Sequence, residues 1–208
     1  MPDAGRPFSK INRRWSGSLI ECDATVAIVQ RVAIVGSSGA GTSALAQEIA
    51  ERFGLNVIEL DALMPSPDLP PTTTPEFRAK LISAIEATQD RGWVIPGNYR
   101  VVADITQKQA DTIIWLDFSR SLVTWRLVKR SVRRAITRKE VRGANRERLR
   151  DLFSRSPERN VVLWSWRNHD HYQGVYHSYA SGKFWSHADV HRLQSRNDVN
   201  VFLASISQ

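Results

Sequence analysis

Residues 32–50 read VAIVGSSGAGTSALAQEIA, an apolar run that passes directly into a glycine-rich turn and then into a helical pattern. A strand joined to a helix by so short a turn is the building unit of parallel α/β sheets. Gly36 and Gly41 also have the spacing of the phosphate-binding pattern G-x-x-x-x-G-K-[ST]. The segment therefore predicts a strand, an anion-binding turn and a helix at one edge of a parallel sheet.

The same alternation continues along the chain. Four further short apolar runs, at 57–60, 93–95, 112–116 and 189–193, are separated by segments with helical periodicity. Together with the first run they predict an α/β fold of three layers, in which helices flank a five-stranded parallel sheet of the P-loop NTPase type.

Apolar residues recur every three or four positions between these runs, so each predicted helix has one stripe to bury. The clearest stripes are Leu45, Ile49 and Phe53; Phe77, Leu81 and Ile85; and Leu122, Trp125, Val128, Val132 and Ile136. A weaker stripe over 158–180 and the segment NDVNVFLASI near the C-terminus predict two more helices. The proline-rich residues 65–75 predict a surface loop instead.

The length of 208 residues favours one domain with a substantial core. Residues 1–28 lack periodicity and predict a flexible extension, which leaves 29–208 as the folded domain. A single cysteine, Cys22, excludes an internal disulfide, and no apolar run approaches the length of a membrane span. We expect a cytoplasmic protein without a membrane partner.

The glycine-rich turn predicts a site for the phosphates of a nucleotide. Glycines allow backbone amides to point inward, and the positive end of the following helix dipole faces the same spot. The residues expected to line the site are Gly36, Ser37, Ser38, Gly39, Ala40, Gly41, Thr42 and Ser43. Ser43 stands where a hydroxyl would ligate Mg²⁺. The alternative is a turn that uses glycine only for tight packing.

Thr42 occupies the position where the phosphate-binding pattern has lysine. Lysine normally contacts the β- and γ-phosphates and stabilises charge in the transition state. Losing one well-placed electrostatic group costs about 10²–10³ in rate. Binding is therefore predicted more firmly than catalysis, unless an arginine from elsewhere compensates.

Several further motifs extend the pattern in order along residues 31–207. They are RVAIVGSSGAG, VIELDAL, EFR, GWVIPGNYR, ADTIIWLD and GANRE. In this order they resemble the small P-loop proteins described as DNA topology modulation or FlaR-like proteins, which are similar to adenylate kinase and other nucleoside and nucleotide kinases. The resemblance implies a lid over the phosphates and ATP with Mg²⁺ as phosphoryl donor, and it leaves the acceptor unnamed.

One strand end departs from the motif of that family. Its members usually carry aspartate where this chain has Pro96, and the aspartate resembles the acid that orients Mg²⁺ through water. Pro96 and Thr42 therefore remove charge from the metal and phosphate positions together. Asp61, near the end of the second run, is our candidate for binding Mg²⁺ through water or for accepting the proton of the substrate hydroxyl.

The turn after the third run is the candidate acceptor site. Asn98 and Arg100 of GNYR follow the strand directly and, with Asp61, are expected to contact the acceptor. A plain turn explains Gly97 and Asn98 equally well. For Asp117, which ends the fourth run, we expect a helix-capping role.

Positive charge is concentrated in residues 120–159, which hold 14 Lys or Arg against 4 Asp or Glu, while the whole chain carries +8. Arg126 and Arg130 lie on a helical face that lacks acids until Glu140. Repulsion along this face would be relieved by phosphates. We expect Arg126 and Arg130 to bind phosphate and Arg146 to act from a mobile lid at about 134–158, with a solvated surface as the alternative.

The histidines do not predict a metal site, and the tryptophans are explained by packing. His169 and His171 lie two positions apart, so on a helix they do not converge on one ion. Most of the seven tryptophans, including Trp93, Trp115 and Trp125, fall on predicted core positions.

Three functions follow from these observations. The first is transfer of the ATP γ-phosphoryl group to an unidentified small acceptor. The second is a nucleotide-binding regulatory protein with impaired catalysis, and the third is a nucleic-acid-binding protein that uses the basic residues of 120–159.

Overall fold

The computed structural model of the chain describes residues 30–63, 73–88, 90–137 and 160–206. The predicted N-terminal extension, Arg146 and most of the predicted lid lie outside them. The described helices and strands, in chain order, are β1 Arg31–Gly36, α1 Thr42–Phe53, β2 Asn56–Val57, a 3₁₀ helix Leu60–Leu63, α2 Thr74–Glu86, β3 Trp93–Pro96, a 3₁₀ helix Arg100–Val102, α3 Ala103–Thr106, β4 Thr112–Leu116, α4 Arg120–Thr137, α5 Val161–Ser181, β5 Asp189–Leu193 and α6 Arg196–Ser205.

The five strands form one parallel sheet in the order β2-β3-β1-β4-β5. Helices cover both faces of the sheet, and a cluster of buried hydrophobic residues lies between each face and its helices. The predicted three-layer α/β fold is therefore confirmed. Because β1 lies at the centre, its carboxyl end opens between β3 and β4, where parallel sheets place their ligands.

Two strands match the sequence prediction residue for residue, and one is much shorter than predicted. β4 and β5 have the predicted bounds, and β1 and β3 each extend the predicted runs slightly. The strand predicted over 57–60 is confirmed only at Val57, because Leu60 already begins a 3₁₀ helix. The predicted surface loop ends earlier too, since α2 begins at Thr74 with Thr73 as its cap.

The apolar stripe predicted for α4 was wrong at its three middle residues. Trp125 is 60% exposed, and Val128 and Val132 are 42% and 40% exposed. Among the α4 side chains that the structure describes, which end at residue 133, the buried ones are instead Val123, Leu127 and Ser131, spaced four apart; Ile136 of the predicted stripe lies outside this part. The helix is therefore turned so that the half-buried Arg126 and Arg130 lie beside the buried residues.

No helix within the described part of the chain combines the length and the apolar composition that crossing a membrane requires.

Candidate phosphate-binding site

The loop between β1 and α1 curves sharply through two glycines in left-handed conformations. Gly39 and Gly41 adopt φ values of 91° and 100°, which side chains other than glycine rarely tolerate. The amide of Ala40 donates to the carbonyl of Ser37 at 2.9 Å, which closes the turn. Both glycines are thus required by the curvature of the loop.

The N-terminus of α1 leaves its amides available. Gly41 is the N-cap and supplies no side chain to accept from them, and the first turn of the helix contains no acidic residue. Because the first amides of a helix have no intrahelical acceptor, they bind an anion readily. A side chain added at Gly41 would meet no atom of the described residues within 4 Å, so this part of the chain leaves the space beside the loop open.

Helix α4 packs directly on the loop. A Cβ atom built on Gly39 would lie 2.6 Å from Cγ of Leu127 and 3.0 Å from the carbonyl oxygen of Val123. Only glycine permits this approach. The contact explains why α4 turns Leu127 inward and leaves Trp125 in solvent.

Arg126 connects α4 to the loop by a hydrogen bond. Its Nη1 atom donates to the carbonyl oxygen of Ala40 at 3.1 Å, and its guanidinium lies 4.8 Å from the ring centre of Phe118. Burial lowers the pKa of this guanidinium, and repulsion from Arg196 lowers it further. Among the described residues no carboxylate forms an ion pair with Arg126. A half-buried cation beside an anion-binding loop can therefore contribute charge to bound phosphate.

The other predicted site residues differ in exposure. Thr42 is half-buried and Ser43 exposed at the start of α1. Arg130 is half-buried on the inner side of α4, one turn beyond Arg126. Pro96 is buried at the end of β3, opposite Ile34 of β1, so this strand end carries no carboxylate.

Asp61 and the turn after β3 meet, as the acceptor prediction requires. The hydroxyl of Tyr99 donates to Oδ1 of Asp61, and this contact brings residue 61 beside Asn98 and Arg100. Burial first, and the Asp61 carboxylate second, raise the pKa of Tyr99, which therefore remains a donor. Arg100 is exposed and approaches Nε2 of His171 at 3.4 Å.

The capping role predicted for Asp117 was wrong. Asp117 is buried, and its carboxylate accepts from Nε of Arg192 at 2.8 Å and from Nε2 of Gln173 at 2.9 Å. The side chain thus joins the ends of β4 and β5 to α5. The sequence could have indicated this partner, because Arg192 is a cation in the predicted strand 189–193, and a cation in a strand of a parallel sheet needs a counter-charge nearby.

Sequence reasoning also missed a contact between α5 and the loop. The hydroxyl of Ser165 donates to the carbonyl oxygen of Ser38 at 3.3 Å. A serine in the middle of a helix gives no pattern that predicts so distant a partner. Helices α4 and α5 pack against each other, and both contact the loop.

The donor atoms fit an anion better than a resident metal. Among the described residues no group of three or more His, Cys, Asp or Glu side chains could hold a metal ion. Ser43 offers one hydroxyl, and the Asp61 carboxylate keeps an oxygen beyond the one that Tyr99 contacts. One hydroxyl and one carboxylate oxygen are too few to hold Mg²⁺ alone. They fit an ion that is bound mainly by the phosphate oxygens of a ligand.

The sheet order and the loop define the class: an α/β protein of the P-loop type. No protein-family model matches the chain, and no curated protein sequence matches it.

Similar solved structures include a gluconokinase from Sinorhizobium meliloti 1021, with 16% sequence identity over 86% of this chain and 94% of that one and a TM-score of 0.47. A sugar kinase from Janibacter sp. HTCC2649 has 15% identity over 86% and 94% of the two chains and a TM-score of 0.48. Deoxyadenosine kinase from M. mycoides with bound dATP has 12% identity over 86% and 100% and a TM-score of 0.45. At these values the fold assignment depends on the sheet and the loop themselves.

Proposed function

We propose that this protein binds a nucleoside triphosphate, ATP with Mg²⁺, in the loop of residues 36–43 and transfers its γ-phosphoryl group to a small hydroxyl acceptor. The observation that supports the proposal most is the open N-terminus of α1 beneath a loop with two left-handed glycines. Backbone amides in that arrangement bind phosphates without help from a lysine side chain.

Charge at the loop would come from arginine in place of lysine. Arg126 already contacts the loop through Ala40, and Arg130 lies one turn further along the same helix. A shift of the Arg126 guanidinium from the Ala40 carbonyl to a phosphate oxygen would exchange a neutral acceptor for a charged one, which strengthens the hydrogen bond. Arg146 is proposed to join them from the lid.

Ser43 would hold Mg²⁺, with Asp61 acting through water; when bound, the ion stabilises charge on the terminal phosphates. The acceptor would lie near Asp61, Asn98 and Arg100. Its hydroxyl oxygen would form a bond to the γ-phosphorus while the bond from that phosphorus to the bridging oxygen of ADP breaks. The hydroxyl proton would pass to the carboxylate of Asp61, which Tyr99 orients.

Calorimetric titration of the full chain with MgATP tests binding, and ADP production with a panel of hydroxyl acceptors tests transfer. Thr42→Lys should increase acceptor-dependent ADP production by about 10²-fold if the missing lysine limits the rate. Thr42→Met is the matched control, because it adds length without charge. A protein that binds none of ATP, GTP and related triphosphates would refute the proposal.

The regulatory alternative is favoured by the neutral residues at both charge-dependent positions, Thr42 and the buried Pro96. It predicts ATP binding without turnover in the wild type and in Thr42→Lys, with every acceptor tried. Acceptor-dependent ADP production above the rate without enzyme would exclude it.

A further inference from the structure

One face of α5 connects the phosphate-binding loop to the end of β4. Ser165, His169 and Gln173 are spaced four apart, so their side chains lie in one row along the helix. Ser165 contacts Ser38 of the loop, and Gln173 contacts Asp117. His169 lies between them, about one helical turn from each.

His169 is buried with an unsatisfied ring nitrogen. The residue is 7% exposed, and its Nδ1 atom has no hydrogen-bond partner among the described residues. A buried polar atom without a partner destabilises the folded protein, because it has lost its hydrogen bonds to water. Most buried polar side-chain atoms in native proteins have a partner, so this ring nitrogen is a candidate to pair with a bound group.

Charged groups from three elements surround the imidazole. Arg120 at the start of α4 lowers its pKa, in addition to the larger effect of burial, whereas Asp170 of α5 and Asp117 beyond β4 raise it. Both carboxylates are already occupied, because Arg120 pairs with Asp170 and Arg192 pairs with Asp117. The net result is a lowered pKa, so the free protein holds His169 neutral near neutral pH.

We propose that His169 is a phosphate ligand of the loop, and that it gains a proton when the triphosphate binds. This inference rests on the proposed nucleotide site. His169 would then supply positive charge to the loop, which Thr42 does not. This charge would exist only while the triphosphate is bound. Bound phosphate would accept from the imidazole N–H and stabilise its protonated form.

The sign of the pH effect follows from the two protonation states. The pKa of His169 is lowered in the free protein, and phosphate would raise it in the complex. Between these two values binding takes up a proton, so affinity rises as pH falls through that window. Below the lower value His169 is already protonated, and its contribution becomes constant.

The experiment is calorimetric titration of the full chain with MgATP at one pH in two buffers of different ionisation enthalpy, which gives the number of protons taken up. His169→Gln keeps a hydrogen-bonding side chain that cannot be protonated. His177→Gln is the matched control, because His177 is an exposed histidine of the same helix. Protonation of ATP itself contributes equally to all three proteins.

We expect His169→Gln to lose most of the proton uptake and to weaken MgATP binding by about 10-fold at pH 6 and less at pH 8. His177→Gln should match the wild type. Equal affinity and equal proton uptake in wild type and His169→Gln would overturn the inference while leaving the nucleotide site intact. Failure of the wild type to bind MgATP at any pH would instead remove the proposed function.

If His169→Gln does not fold, imidazole NMR titration of the wild type replaces it. One histidine should then show a pKa that rises when MgATP is added, and an unchanged set of five histidine titrations would overturn the inference.

Discussion

Gly39 is the residue that most directly connects sequence to site. Its φ of 91° lies in the region that favours glycine, and Leu127 of α4 occupies the space of any side chain there. Backbone curvature and helix packing thus impose the same requirement on one position. The loop pattern in the sequence predicts the curvature, but the packing depends on a helix about 90 positions away, which local spacing does not reveal.

Gly39→Ala should therefore lower the free energy of unfolding by at least about 2 kcal/mol, from left-handed strain and overlap with Leu127. Urea denaturation measures the change. Gly174→Ala is the matched control, because an added Cβ there meets none of the described atoms within 4 Å and α5 gains a better helix former. That control should be neutral or stabilising by up to about 1 kcal/mol. Equal stability of Gly39→Ala and the wild type would contradict the argument.

Asp117 is a buried carboxylate whose partners come from two other elements. Asp117→Asn would leave the Arg192 guanidinium half-buried without its counter-charge, and breaking such a pair costs about 3–5 kcal/mol. The expected result is a lower urea midpoint with an unchanged slope. Asp104→Asn gives a comparison on the surface, because its ion pair with Arg78 is exposed and exposed pairs contribute less to stability than buried ones. A smaller effect at Asp117 than at Asp104 would contradict the expected order.

At the scale of elements, α4 explains why hydrophobic spacing gave the wrong helix face. Trp125, Val128 and Val132 form the more regular apolar stripe, yet the buried residues are Val123, Leu127 and Ser131. The inner face approaches a backbone loop closely, and beside its buried residues it carries two half-buried arginines, one of which donates to that loop. Spacing rules assume that the buried face of a helix covers only a hydrophobic core, and here Val123 and Leu127 join the core cluster while the same face also contacts the loop.

The orientation of α4 predicts opposite results for two large apolar residues. Leu127→Ala should destabilise the protein by about 2–5 kcal/mol, because it opens a cavity under the loop. Trp125→Ala should change stability by less than about 1 kcal/mol, because its indole is mostly in solvent with Lys129 5.1 Å from the ring centre. Thermal and urea unfolding of both variants measure the difference. The original sequence prediction requires the reverse order.

Helix α6 begins with a capping box that makes stability depend on pH. Asp198 accepts from the amides of Gln194 and Ser195 and from the Ser195 hydroxyl, and these bonds lower its pKa. A lowered carboxyl pKa in the folded protein means that the stabilisation is complete above the unfolded pKa and is lost as pH falls through the folded one. Ser195→Ala should cost about 1 kcal/mol at pH 7. Asp198→Asn should flatten the acid limb of the stability curve, and an unchanged limb would contradict the assignment.

At the scale of the whole molecule, the sequence indicated the parallel sheet and the position of the loop, but not the order of the strands. Each apolar run identifies a strand, whereas the order β2-β3-β1-β4-β5 depends on which faces the intervening helices cover. The sequence also predicted that Asp61 and the turn after β3 share an acceptor site; the contact of Tyr99 with Asp61 brings the two segments together, and the acceptor site itself stays a prediction. The contacts of α4 and α5 with the loop are long-range and had no local signal.

Those long-range contacts make ligand binding a property of the entire fold. The loop joins β1 to α1 and receives side chains from α4 and α5, so phosphate bound there, as proposed, would stabilise contacts among four elements. A ligand that binds only the folded state at 100 times its dissociation constant adds about 2.7 kcal/mol. For a chain of this size the melting temperature should rise by about 5–10 °C with MgATP. Adenosine at the same concentration lacks phosphates and should give little or no increase. An equal shift with adenosine would show that contacts with the nucleoside, and not with the phosphates, provide the affinity. The amides of α1 would then not be the principal anion site.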